Sequence, residues 1–156
     1  NVYAIASGIC DGLELGDNAK AALLTRSLHE MLRLARQLGA SGETLYGLSG
    51  FGDLVATCFG RLSRNRSLGE RIARGERIES LMEKRRTVAE GYHTCRCFYE
   101  ICQNRGIPAP ILEQVHDVLY RGKNPHRALE DLMKRELKEE HPDASGGASR
   151  EALFSN

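Results

Sequence analysis

The stretch Gly47–Arg66, GLSGFGDLVATCFGRLSRNR, gathers the side chains best equipped for chemistry. Asp53 follows Gly50 and Gly52 and opens a short apolar helix that should end near Thr57 and Cys58; Ser63, Arg64, Asn65 and Arg66 come next. A carboxylate followed by a hydroxyl, a guanidinium and a carboxamide can hold a small polyhydroxylated anion. Arg offers a bidentate fork for phosphate, while Ser and Asn supply neutral donors. Glycines beside the acid let a ligand approach the backbone closely. The same residues also fit an ordinary loop between two helices carrying a solvated basic patch. A second cluster, His93 with Cys95 and Cys97, admits a metal reading. Zinc ligand pairs normally leave roughly two to four residues between them and need a second pair, so buried thiols on a helix account better for this one.

The elements that must position these residues are helical. Asn1–Gly16 begins as a small-residue apolar run, VYAIASGIC, which periodicity alone does not assign to helix or strand. Asp17 or Asn18 can cap the next helix and Gly39 can end it. Ala22, Leu23, Leu28, Met31, Leu32, Ala35 and Leu38 form its apolar face, with Lys20, Arg26, Glu30, Arg33 and Arg36 opposite. At about 1.5 Å per residue it reaches roughly 30 Å and is expected to be the central core helix. A short helix or turn is predicted at 42–46, a helix after Arg64 and a short one at 78–82. Thr87–Gly91 reads as an extended link, with Glu90 just before a helix over 92–104 that buries Cys95, Phe98, Tyr99, Ile101 and Cys102. Helices over 111–120 and 125–137 complete the set, the last beginning at Pro125, where the missing N–H does no harm. His116 and His126 are expected at the surface. Strand signals are scarce, so the reading is an all-α domain of about six to eight helices over 1–140, followed by a polar, Gly/Ser-rich tail over 141–156.

A chain of 156 residues with a net charge of +1 has enough material for one core and lacks the one-sided charge of a dedicated nucleic-acid or membrane-surface protein. No apolar run approaches the ~18 residues of a membrane span. Five cysteines without the even spacing of a disulfide framework favour a reducing compartment, the cytoplasm by default. Between Arg61 and Arg86 the basic residues outnumber the acidic ones, which raises an RNA- or anion-binding alternative, but no aromatic side chain there can stack a base. A helical dimerisation module is the other alternative.

The run NVYAIASGICDGLELGDNAKAALLTRSLHEM, the motif GLSGFGDLVATC, the following SRNR and the later VAEG together resemble the C-terminal domain of bacterial-type NAD(P)-dependent glycerol-3-phosphate dehydrogenases, in the family's order and spacing from Asn1 to about residue 137. The resemblance implies an all-α substrate domain related to the C-terminal domain of 6-phosphogluconate dehydrogenase, preceded by a nucleotide-binding Rossmann domain. It implies interconversion of sn-glycerol 3-phosphate and dihydroxyacetone phosphate with NAD or NADP, which supplies glycerol 3-phosphate for phospholipid synthesis. A lysine immediately before Asn1 would be the proton acceptor, and the fragment alone would be inactive. Asp53 would hold that lysine and the substrate hydroxyl; Asn1, Thr57, Ser63, Arg64 and Asn65 would bind substrate, the phosphate falling to Arg64. Arg64, Val88 and Glu90 would touch the cofactor. A homodimer is compatible with this resemblance. Phe51 and Ala89 stand where many relatives carry Leu and Val, a change in packing that removes no polar contact.

Overall fold

A computed structural model describes residues 1–83 and 89–134. The described chain forms nine α-helices and one π-helical turn: α1 Val2–Gly12, α2 Gly16–Gln37, α3 Gly42–Tyr46, the turn Leu48–Gly52, α4 Asp53–Phe59, α5 Arg64–Ala73, α6 Ile78–Glu83, α7 Glu90–Arg105, α8 Pro110–Arg121 and α9 Pro125–Lys134. No strand occurs among the described residues.

The ambiguous opening run is a helix, and it, rather than α2, is the hub. Val2, Ala4, Ile5, Ala6, Ser7, Gly8, Ile9 and Cys10 are all buried. A helix apolar on every side has to be surrounded, and α1 touches α2, α4, α5, α7 and α8. Its closest partner is α5. A Cβ on Gly8 would fall 1.9 Å from the Arg66 carbonyl oxygen, and one on Gly69 would fall 2.0 Å from that of Ile5. Only the absence of both side chains lets the two backbones touch.

α2 packs against α1, α4 and α8. It begins at Gly16 in a left-handed conformation (φ 81°), ahead of the expected caps Asp17 and Asn18. Leu23 and Leu32 are buried, whereas Ala22 and Leu38 are exposed. Two charged residues assigned to the solvated face lie inside instead. The Lys20 ammonium donates to the Asp11 carboxylate at 2.8 Å and sits 4.5 Å from the Phe59 ring centre. Glu30, only 1 % exposed, accepts from the backbone N–H groups of Ile111 (2.8 Å) and Leu112 (3.0 Å). It thereby caps α8 from another helix, satisfying donors that the first turn of α8 leaves unpaired.

His116 is also buried rather than on the surface. Its ring stacks on Tyr99 with centroids 3.7 Å apart, and Tyr120 lies 5.0 Å away. It follows Leu112 by one helical turn on the apolar face of α8, a position that periodicity could have flagged. Phe98 and Ile101 of α7, expected in the core, are more than a third exposed. His126 is exposed, as expected. Ile5, Ile9, Leu68, Ile111, Val115 and Val118 are among the side chains that close the core between α1, α5 and α8.

Candidate active site

Asp53 is the first residue of α4, exposed, immediately after the π-helical turn. One turn on, the Thr57 hydroxyl donates to the Asp53 carbonyl at 2.6 Å, which fixes the side chain on the same face of the helix. Asn1, Asp53 and Thr57 line one cavity of about 370 Å³, with Ser49 and Thr94 as further polar groups on its wall. Met31, Leu34, Leu38, Leu54, Phe98 and Leu112 make the rest of that wall largely apolar, and among the described residues neither Lys nor Arg lines it. Ser49 and Thr94 were not among the sequence candidates. Ser49 sits within the glycine-rich motif, and Thr94 follows Glu90 by one turn of α7, donating to its carbonyl at 2.9 Å.

Ser63, Arg64 and Asn65 stand outside this cavity, at the start of α5. Ser63 is the N-cap, its hydroxyl accepting from the Arg66 N–H at 3.2 Å. The Arg64 guanidinium is half-exposed and lies 3.5 Å from the more exposed Glu90 carboxylate. So open a pair is weakly held in water and can yield to an anion. Asn65 is buried: its Nδ2 donates to the Asn1 Oδ1 at 2.9 Å, and its Oδ1 accepts from the Gly91 N–H at 2.9 Å. One carboxamide thus ties together the N-terminal ends of α1, α5 and α7.

Asn1 is the residue at which the two groups meet. It shares the cavity wall with Asp53 and a hydrogen bond with Asn65. The carboxylates of Asp53 and Glu90 both lie close enough to the Asn1 backbone nitrogen to act on it electrostatically. Both acids therefore flank the start of α1. Cys58 borders the cavity, but burial pushes its thiol up to about 11, leaving it protonated and unreactive. Val88, assigned to the cofactor side, lies outside the described residues.

The basic segment behind the site carries its own counter-charges. Arg66 pairs with Asp11 and Glu70, Arg71 with Glu76, Arg74 with Glu70 and Arg77 with Glu79. Among the described residues these pairs interrupt the cationic stripe that a nucleic-acid backbone requires. Cys95 is buried while Cys97 is exposed, and no group of three or more His, Cys, Asp or Glu side chains suited to a metal exists among the described residues. No helix among them is long and apolar enough to cross a membrane.

The described residues form an all-α domain in which helix starts carry a carboxylate, an open guanidinium and a buried carboxamide near Asn1. Residues 1–130 match the family model described as NAD-dependent glycerol-3-phosphate dehydrogenase C-terminus, and the chain belongs to that family. It is 47% identical over 140 residues to a glycerol-3-phosphate dehydrogenase (NAD(P)+) of Solidesulfovibrio magneticus, a match covering 90% of this chain and 42% of that protein. To the corresponding protein of a Nostoc species it is 49% identical over 141 residues, covering 90% of this chain and 46% of the relative. Among solved structures, glycerol-3-phosphate dehydrogenase from Coxiella burnetii superimposes with a TM-score of 0.83 at 40% identity, over 86% of this chain and 41% of that one. The enzyme from Saccharomyces cerevisiae gives 0.77 at 27% identity, over 86% and 39%. The chain thus spans less than half the length of the relatives it matches.

Proposed function

We propose that residues 1–140 form the substrate-binding domain of an NAD(P)-dependent enzyme interconverting sn-glycerol 3-phosphate and dihydroxyacetone phosphate, with 141–156 an appended tail. The convergence of Asp53 and the Arg64–Asn65 pair on Asn1 carries this reading. An alcohol oxidation needs a base beside the carbinol carbon, and the reverse reaction needs the same group as an acid. The lysine that the family resemblance puts immediately ahead of Asn1 fills that role, and Asp53, on the same cavity wall as Asn1, holds it and the substrate hydroxyl. Among the described residues no Lys or Arg side chain lines the cavity, and Arg64, assisted by Ser63 and Asn65, takes the phosphate of the substrate. Thr57 and Asn1 hold the carbon end. A fixed charge at one end and a polar cluster at the other convert an encounter into one orientation.

Glu90 and Arg64 stand exposed, a carboxylate for hydroxyl or amide donors and a cation for phosphate. This donor set fits the edge of a nicotinamide nucleotide, with Val88 as a further contact. The nicotinamide ring supplies the hydride acceptor when bound; the side chains of this domain hold and orient. We assign the whole protein to the cytoplasm and to the supply of glycerol 3-phosphate for phospholipid synthesis.

The test uses the full-length protein, in which this domain follows its nucleotide-binding domain. Asp53→Ala and Arg64→Ala should each lower kcat/KM for glycerol 3-phosphate by at least about a hundredfold, the scale of a lost charged partner in the transition state. Circular dichroism should remain that of the wild type. Normal turnover by either folded variant would refute the site.

A further inference from the structure

The start of α7 is held unusually close to the candidate site, and the residue responsible is one to which no chemistry has been given. The Gly91 N–H donates to the Asn65 Oδ1 at 2.9 Å. A Cβ on Gly91 would stand 2.7 Å from that same oxygen, 3.0 Å from the Asn1 carbonyl oxygen and 3.0 Å from the Ile5 Cδ1. Glu90, its neighbour in the first turn, is the partner of Arg64. The missing side chain at position 91 therefore sets two things together: the seat of the Asn65 carboxamide against Asn1, and the placement of Glu90 beside Arg64.

We propose that Gly91 is a positioning residue, which by having no side chain locks the Asn65 carboxamide onto Asn1 and holds α7 so that Glu90 faces Arg64. This rests on the dehydrogenase reading of the site for its functional consequence and on the geometry alone for its structural one. The atom nearest the added methyl is the end of a side chain, which can rotate away, so Gly91→Ala is expected to fold. The cost falls on the site instead. A displaced Asn65 gives up its bond to Asn1, and the start of α5, with Arg64, loses its registration against α7.

Gly106 provides the control. It caps the opposite end of α7 in a left-handed conformation (φ 63°), with nothing within 4 Å of an added Cβ, so Gly106→Ala strains the backbone without touching Asn65. In the full-length protein, Gly91→Ala should raise the KM for glycerol 3-phosphate and for the nucleotide at least tenfold with a smaller change in kcat. Gly106→Ala should lower Tm and leave both KM values unchanged. A double-mutant cycle sharpens the comparison: adding Gly91→Ala to Asn65→Ala, which removes the clashing oxygen, should cost less than threefold more than Asn65→Ala alone. Wild-type KM values in Gly91→Ala, or full additivity in the cycle, would overturn the proposal. If the wild-type protein proved inactive on glycerol 3-phosphate, the functional reading would fall. The clamp is then decided by a crystal structure of Gly91→Ala, where an Asn65 carboxamide still bonded to Asn1 would sink it.

Discussion

At the scale of single residues, the buried polar groups are the most consequential. Glu30 carries a carboxylate into the interior to cap α8, and burial pushes its pKa up to about 7 against the opposing pull of the Ile111 and Leu112 amides and of Arg33. The sign follows from linkage. An acid whose pKa is higher folded than unfolded favours the folded state fully below its ordinary value of 4.5, and that contribution is lost as pH rises to about 7. Glu30→Gln removes the titration, so its stability deficit relative to wild type should be greatest near pH 4.5. By pH 7.5 the deficit should be smaller by about 3 kcal/mol, given ~1.4 kcal/mol per pKa unit. Urea unfolding at both pH values measures this, and a deficit independent of pH would contradict it. Glu30→Ala, which orphans two buried N–H groups, should cost about 3 kcal/mol or more.

At the scale of elements, the contact between α1 and α5 decides whether the site exists. The two helices meet backbone to backbone because Gly8 and Gly69 carry no side chain at the crossing. Their N-terminal ends are then joined by Asn65 and Asn1. Gly69→Ala places a methyl against the Ile5 carbonyl, a fixed backbone atom, so the helices must part. Overpacking of this kind costs about 3 kcal/mol, at the upper end of its usual range. Chemical denaturation should show that loss, and a Gly69→Ala protein as stable as wild type would mean that the crossing is looser than described. The ion cluster of Lys20, Asp11, Arg66 and Glu70 closes the far end of the same pair. Arg66 and Glu70 are one helical turn apart, whereas Asp11 reaches Lys20 across a loop and Arg66 across more than fifty residues, pairings the sequence does not display.

At the scale of the whole molecule, the chain offers binding groups on one wall and no hydride acceptor. Its cavity wall is largely apolar, and Arg64 and Glu90 are exposed. The domain alone should therefore show no reduction of NAD(P)+ in the presence of glycerol 3-phosphate, while the full-length protein turns over. Absorbance of the reduced nicotinamide tests both, and turnover by the purified domain would show that the division of labour is wrong.

What the sequence determined by itself was the helical class, most helix boundaries to within a few residues, and the candidate set around Asp53 and Arg64. Breakers such as Gly39, Gly75, Gly106 and Pro125 act locally, and the GLSGFGDLVATC and SRNR motifs are contiguous. The hub helix was not legible, because a short apolar run buried on every side has no polar face to give it a period. Nor were the interior placements of Lys20 and Glu30, or the close approach around Gly91; His116, one turn from Leu112, was legible in the period of α8. Lys20 and Glu30 owe their burial to partners far along the chain, Asp11 and the first turn of α8, and Gly91 owes its importance to empty space that only Asn65 and Asn1 define. Pairing and close approach are properties of the folded arrangement, so only the tertiary structure could decide them.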